Sequence, residues 1–213
     1  MKCCRHLLPA LACLLAAAVP GLACYSGLTV IPTADTVGAG QYGIELQADG
    51  PTSPFESDTH ILNTEIGLGD RVEVGVDFDL SKGADPRVLF NGKYVFATGG
   101  DGALALAAGV QNIGNGLTAV PYLVGTRDFT ACRGHLGVQR AEGNTRPFVG
   151  IDAPLGARWT LMADYTAGDE NSASAGVNYQ FTDRVGLLGG LIFPNDGSGT
   201  GFTVHLVFNG PYR

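Results

Sequence analysis

Residues 71 to 81 read R-V-E-V-G-V-D-F-D-L-S. Val72, Val74, Val76, Phe78 and Leu80 fall on one side of an extended chain, and Arg71, Glu73, Gly75, Asp77 and Asp79 on the other. Successive strand side chains point to opposite faces, so this period predicts a strand with one apolar and one charged face. The run before it, 61–68, ends in the turn signal Gly69-Asp70, which predicts a hairpin. Similar segments recur to the C-terminus. Strands are expected at about 41–49, 59–68, 71–81, 87–97, 102–112, 117–127, 130–140, 145–154, 158–166, 171–181, 184–193 and 200–209. Each is roughly nine to eleven residues, the length that a tilted strand needs to cross a bilayer. Pro121 falls inside the sixth, an awkward place for a residue without an N–H.

The connections alternate in length. Those after odd strands are longer and polar (50–58, 82–86, 113–116, 141–144, 167–170 and 194–199), and those after even strands are mostly tight. Outer-membrane barrels show this asymmetry, with short periplasmic turns and longer outside loops. It puts both termini in the periplasm. On that frame Tyr42, Phe96, Phe129, Trp159, Phe181 and Phe208 fall near the periplasmic rim, and Phe78, Phe90, Tyr165, Phe193 and Phe202 near the outer rim. Two belts of rings around an aliphatic middle fit a membrane barrel better than a soluble sandwich.

The first 23 residues have the form of a secretion signal: Lys2, Arg5 and His6, an apolar stretch from Leu7 to Val19, then Gly21-Leu22-Ala23. Its removal takes away Lys2 and Arg5, leaving 11 basic against 20 acidic residues, a net charge of −9. That balance argues against nucleic acid as a partner. Cys24 and Cys132 are the cysteines that remain. Cys24 would be the first mature residue, so lipidation, a disulfide with Cys132 and free thiols all stay open.

Several stretches resemble the YjbH type of bacterial outer-membrane protein, which is associated with exopolysaccharide. They are residues 27–34 (G-L-T-V-I-P-T-A), Asn91-Gly92-Lys93-Tyr94, residues 122–129 (Y-L-V-G-T-R-D-F), Phe148-Val149-Gly150-Ile151-Asp152, residues 161–165 (L-M-A-D-Y) and Asn178-Tyr179. Where the family carries Glu-Tyr, this chain has Asp164-Tyr165. The resemblance implies a compact, single-barrel version of a longer type, with polysaccharide or export machinery as partner, and it brings no catalytic residues.

The inward face is expected to be polar and charged. It holds Glu45, Glu65, Glu73, Asp77, Asp79, Asp152 and Asp164, opposed by Lys93, Arg133 and Arg146, with His135 between Arg133 and Gly137. These residues could line a selective pore, or fill a rigid barrel with ion pairs, since buried charges must be paired. Inward glycines (Gly43, Gly75, Gly109, Gly137, Gly150 and Gly176) leave room for water or an inserted segment. Residues 24–40, interrupted by Pro32, are expected as a plug at the periplasmic side rather than a strand. No Gly-x-Ser-x-Gly motif occurs, His60 and His205 lack metal-ligand spacing, and Asp196-Gly197-Ser198-Gly199 reads as a turn. Neither cofactor nor metal is expected.

The combined reading is an all-β, antiparallel, up-and-down transmembrane barrel of about twelve strands, with ten as the fallback. It would occupy residues 41–213 in the outer membrane of a Gram-negative-type bacterium, in contact with its lipid. The function expected is a non-enzymatic narrow pore or structural envelope protein. A lipid-modifying outer-membrane enzyme, marked by a Ser–His pair near a rim, is one alternative. A soluble β-barrel with a ligand cavity is the other.

Overall fold

The computed structural model describes residues 26–83, 85–99, 103–114 and 117–212. The secretion signal and Cys24, with its lipidation or disulfide, lie outside the described residues.

The described residues form twelve strands: β1 (Gln41–Pro51), β2 (Thr59–Gly67), β3 (Val72–Asp79), β4 (Arg87–Ala97), β5 (Leu104–Gly114), β6 (Val120–Asp128), β7 (Arg133–Ala141), β8 (Asn144–Pro154), β9 (Trp159–Thr166), β10 (Ser172–Thr182), β11 (Val185–Pro194) and β12 (Gly201–Pro211). Each pairs antiparallel with its neighbours in sequence. β1 closes the ring on β12 in an unbroken register from Gln41↔Pro211 to Pro51↔Gly201. Twelve strands, not the fallback of ten, make the barrel. Both ends of the chain's barrel portion, Gln41 and Pro211, stand at the same rim.

Three strands start two or three residues later than the sequence pattern suggests. β7 begins at Arg133 because residues 129–132 close a turn, with Phe129 N–H donating to Cys132 O at 2.8 Å. β5 and β6 begin at Leu104 and Val120. The connection expected to be long at 141–144 is a two-residue turn. Glu142 and Gly143 take φ of 51° and 84°, the left-handed pair that matches the twist of a hairpin. Pro121 pairs with Val110 of β5, and the β6–β7 ladder starts one residue later at Tyr122↔Gln139. Its missing N–H therefore sits where that ladder has ended.

The outward face carries Phe90, Tyr94, Phe96, Leu123, Leu136 and Leu161, all exposed. An exposed band of this kind has the polarity of a lipid-facing barrel. At the rim that holds the termini, Trp159, Tyr179 and Phe181 form a ring cluster with centroids 4.4 Å and 4.9 Å apart. Phe202 departs from the opposite belt. It is covered by Phe55 of the 52–58 connection, stacked at 4.5 Å.

The interior corrects the sequence reading of a wholly polar inward face. Val95, Ala107, Tyr122, Val124, Phe148, Met162 and Leu188 turn inward and form a buried apolar cluster. Strands β4 to β6 carry apolar residues on both faces, so alternation alone cannot reveal this half. Two glycines make it possible: the rings of Tyr122 and Phe148 lie where side chains on Gly109 and Gly137 would stand.

Candidate functional site

Residues 26–37 lie inside the barrel. Ser26 to Thr33 fold into a small hairpin, with Leu28 N–H donating to Ile31 O at 2.9 Å and Thr33 N–H to Ser26 O at 3.2 Å. Pro32, which has no N–H to give, faces Gly27 between these two bonds. Leu28, Ile31 and Ala34 are buried in the apolar cluster, each large side chain contributing roughly 1.5–3 kcal/mol. Gly150 gives them their seat, since a Cβ there would lie 2.5 Å from Leu28 Cδ1 and 2.6 Å from Ile31 Cδ1. The chain then leaves along β2 and turns into β1, with Gln41 N–H donating to Gly38 O at 3.0 Å.

Charged groups of the wall hold the hairpin by its backbone. Glu73 accepts from Ser26 Oγ and from Val37 N–H, both at 2.7 Å. Lys93 Nζ stands 3.3 Å from Glu73 and donates to Ser26 O at 2.8 Å and Asp35 O at 2.7 Å. This Lys93–Glu73 pair is almost wholly buried, at 3% and 6% exposure. Glu65 joins it, 3.4 Å from Ser26 Oγ. On the far wall, Asp164 accepts from Val30 N–H at 3.2 Å. Arg133 donates to Asp35 at 2.5 Å. Burial raises the Asp35 pKa, but the guanidinium and the Thr33 hydroxyl outweigh it and hold the carboxyl below its usual range.

The other inward charges serve the wall itself. Glu45 is 2.9 Å from His205 Nδ1 and accepts from Asn63 at 2.8 Å. Asp77 accepts from Asn91 at 2.5 Å. Asp79 caps Ser81 and lies 3.6 Å from Arg87, and Arg146 meets Glu170 at 2.6 Å.

His135 and Asp152 enter an arrangement that the sequence does not announce. His135 Nε2 is 2.7 Å from Asp152, and His135 Nδ1 is 2.9 Å from Thr126 Oγ1. A hydroxyl, an imidazole and a carboxylate in line have the form of a catalytic triad. Here Thr126 Oγ1 already accepts the Ala34 N–H at 2.9 Å, and Thr126, His135 and Asp152 are all buried. No approach to the hydroxyl is left, so the row works as a relay that ties the hairpin to the wall. Sequence reasoning gave no role to Thr126, within residues 122–129, or to Asp35. A second hydroxyl–imidazole contact, Ser57 Oγ to His60 Nε2 at 3.2 Å, lies at the rim away from the termini. Ser57 Oγ is also within reach of the Asp49 and Thr59 carbonyls, and this geometry fastens the 52–58 connection.

Beside the hairpin, a cavity of about 330 Å³ remains. Glu45, Asp49, Glu65, Glu73 and Asp77 line it, against Lys93 and His205. It reaches Ile61, Ser172 and Ile192 at the rim away from the termini. Among the described residues, no cluster of His, Cys, Asp or Glu is arranged to hold a metal ion.

No protein-family model and no curated protein matches the chain. Among solved structures, the KdgM porin is similar with a TM-score of 0.61 and 12% identity, over 78% of this chain and 98% of that one. The KdgM porin in complex with disordered oligogalacturonate is similar at 0.57, with the same 12% identity and 78% and 98% coverage. The Acinetobacter baumannii outer membrane protein Omp33 aligns over 81% of this chain and 98% of its own at 10% identity, with a TM-score of 0.47. The likeness is one of fold: a closed, twelve-stranded antiparallel barrel of the outer-membrane porin kind.

Proposed function

We propose that this protein is a non-enzymatic outer-membrane barrel, a narrow channel whose periplasmic half is plugged by residues 26–37. The observation that carries this reading is the hairpin seated within a barrel whose outward face is apolar. The rim that holds the termini is the periplasmic one, and residues 1–23 are a secretion signal. The acidic cavity then opens outward as a vestibule. Five carboxylates against Lys93 and His205 favour cations or neutral solutes. A chain of carboxylates such as oligogalacturonate would be repelled there, so likeness of fold to the KdgM porin does not extend to that solute. A link to exopolysaccharide rests on the short YjbH-type matches, and the vestibule chemistry suits a neutral polymer.

Single-channel recording in planar bilayers tests the reading. The full chain is expected to give a small, cation-selective conductance. Deleting residues 26–38 should raise it several-fold while the barrel still folds, shown by heat-modifiable gel mobility. A wide open channel in the full-length protein, or a folded deletion variant that does not conduct, would overturn it.

A further inference from the structure

Strand β10 turns Ser172, Ser174, Gly176, Asn178 and Gln180 inward, at every second position. This uncharged row runs from the cavity at Ser172 toward the rim that holds the termini. The charged latches and most of the apolar seat lie on other strands. Among the described residues, polar atoms without a hydrogen-bond partner stand on this row and beside it. The Asn178 side chain is completely buried, and neither Oδ1 nor Nδ2 has a hydrogen-bond partner among the described residues. Thr29 Oγ1, at the hairpin tip, is also buried and unpartnered. Both face backbone that bears no side chain. A Cβ on Gly176 would lie 3.2 Å from Thr29 Oγ1, and one on Gly186 would lie 3.4 Å from Asn178 Oδ1. A buried amide with four unmet hydrogen-bonding positions is costly when dry, and buried polar groups left over in this way are ordinarily met by water.

We propose that the seam between the hairpin and β10 is a hydrated file that carries water and small monovalent cations past the plug. This rests on the narrow-channel reading above. Asn178 is the polar station at the narrow part, able to give and accept hydrogen bonds as water passes. Asp164 stands opposite Ser174 in the β9–β10 register and brings negative charge to the upper part of the seam. No Lys or Arg occurs in β9, β10, β11 or β12, and His205 of β12 faces Glu45 at 2.9 Å.

Conductance of the full-length protein in planar bilayers, with potassium as the probe, tests the file. Asn178→Leu keeps the branching and the number of heavy atoms and removes both polar atoms. It should lower potassium conductance about tenfold, which corresponds to about 1.4 kcal/mol on the barrier. Asn178→Ser should retain conduction. Heat-modifiable mobility verifies the fold of each variant. Should Asn178→Leu not fold, silver ion is applied to Asn178→Cys in a Cys132→Ser background, paired with the outward Ala175→Cys. Block in the first and none in the second supports the file. Wild-type conductance in a folded Asn178→Leu, or no silver block at Asn178→Cys, overturns it. A full-length protein sealed to potassium, with the 26–38 deletion conducting, overturns the file and leaves the plugged channel standing. If neither conducts, both fail.

Discussion

The two halves of the lumen meet the hairpin in different ways. Strands β5, β6, β8, β9 and β11 present Ala107, Tyr122, Val124, Phe148, Met162 and Leu188, which pack in one cluster with Leu28 and Ile31. Strands β12 and β1 to β4 present Glu45, Asp49, Glu65, Glu73 and Asp77, and there a cavity remains. Apolar side chains gain by contact and exclude water, so that half seats the hairpin. Charged side chains gain by keeping water or a partner, so the other half grips it only at Ser26, Asp35 and Val37 and otherwise stays open. The protein thus has a dry seat and a wet vestibule in one barrel.

Breaking the wet half at its buried pair should have the largest effect. Lys93→Met leaves Glu73 buried without its cation and removes both donors to the hairpin backbone, at about 3–5 kcal/mol. Amide exchange at Ile31 and Thr33 should accelerate strongly, and unchanged protection would show that the apolar seat alone holds the hairpin. Phe148→Ala breaks the dry half, also at about 3–5 kcal/mol if the site does not collapse. It should release the hairpin while leaving the charge selectivity of the vestibule unaltered, which reversal potentials would report.

The outer surface supplies a sharper contrast. Val76→Arg puts a cation on the outward face of β3 and should cost about 2–4 kcal/mol in a bilayer. Val76→Leu should be tolerated. Heat-modifiable mobility lost in the first and kept in the second is the expected result, and equal tolerance would remove the membrane placement.

The smallest effect concerns pH. Asp35 has a lowered pKa when docked against Arg133, so its contribution is complete above the ordinary carboxylate range and is lost as pH falls through the docked value. Hairpin protection should therefore stay flat from about pH 8 to about pH 5 and weaken only in stronger acid. Asp35→Asn should lower protection modestly at neutral pH and abolish that acid step.

Much of the fold is legible in the sequence. A period of two repeated in twelve segments fixes strands and separates two faces, because pleating sends alternate side chains to opposite sides. Turn residues such as Gly69-Asp70 set where each hairpin reverses. The pattern cannot say which inward residues meet. Val30 and Asp164 are 134 residues apart, and Arg133 and Asp35 are 98 apart, so no local spacing joins them. It also cannot divide the lumen. Tyr122 sits on a strand with apolar residues on both faces and Phe148 between Arg146 and Gly150 on the inward face of β8, and only the position of the hairpin gives their inward rings something to bury. The sequence by itself determined a closed ring of two-faced strands, through local sterics and alternation. The tertiary structure decided the dry seat, the Glu73–Lys93 grip, the Thr126–His135–Asp152 relay and the unpartnered Asn178. Those depend on where strands distant in sequence stand around the ring, and on what the ring encloses.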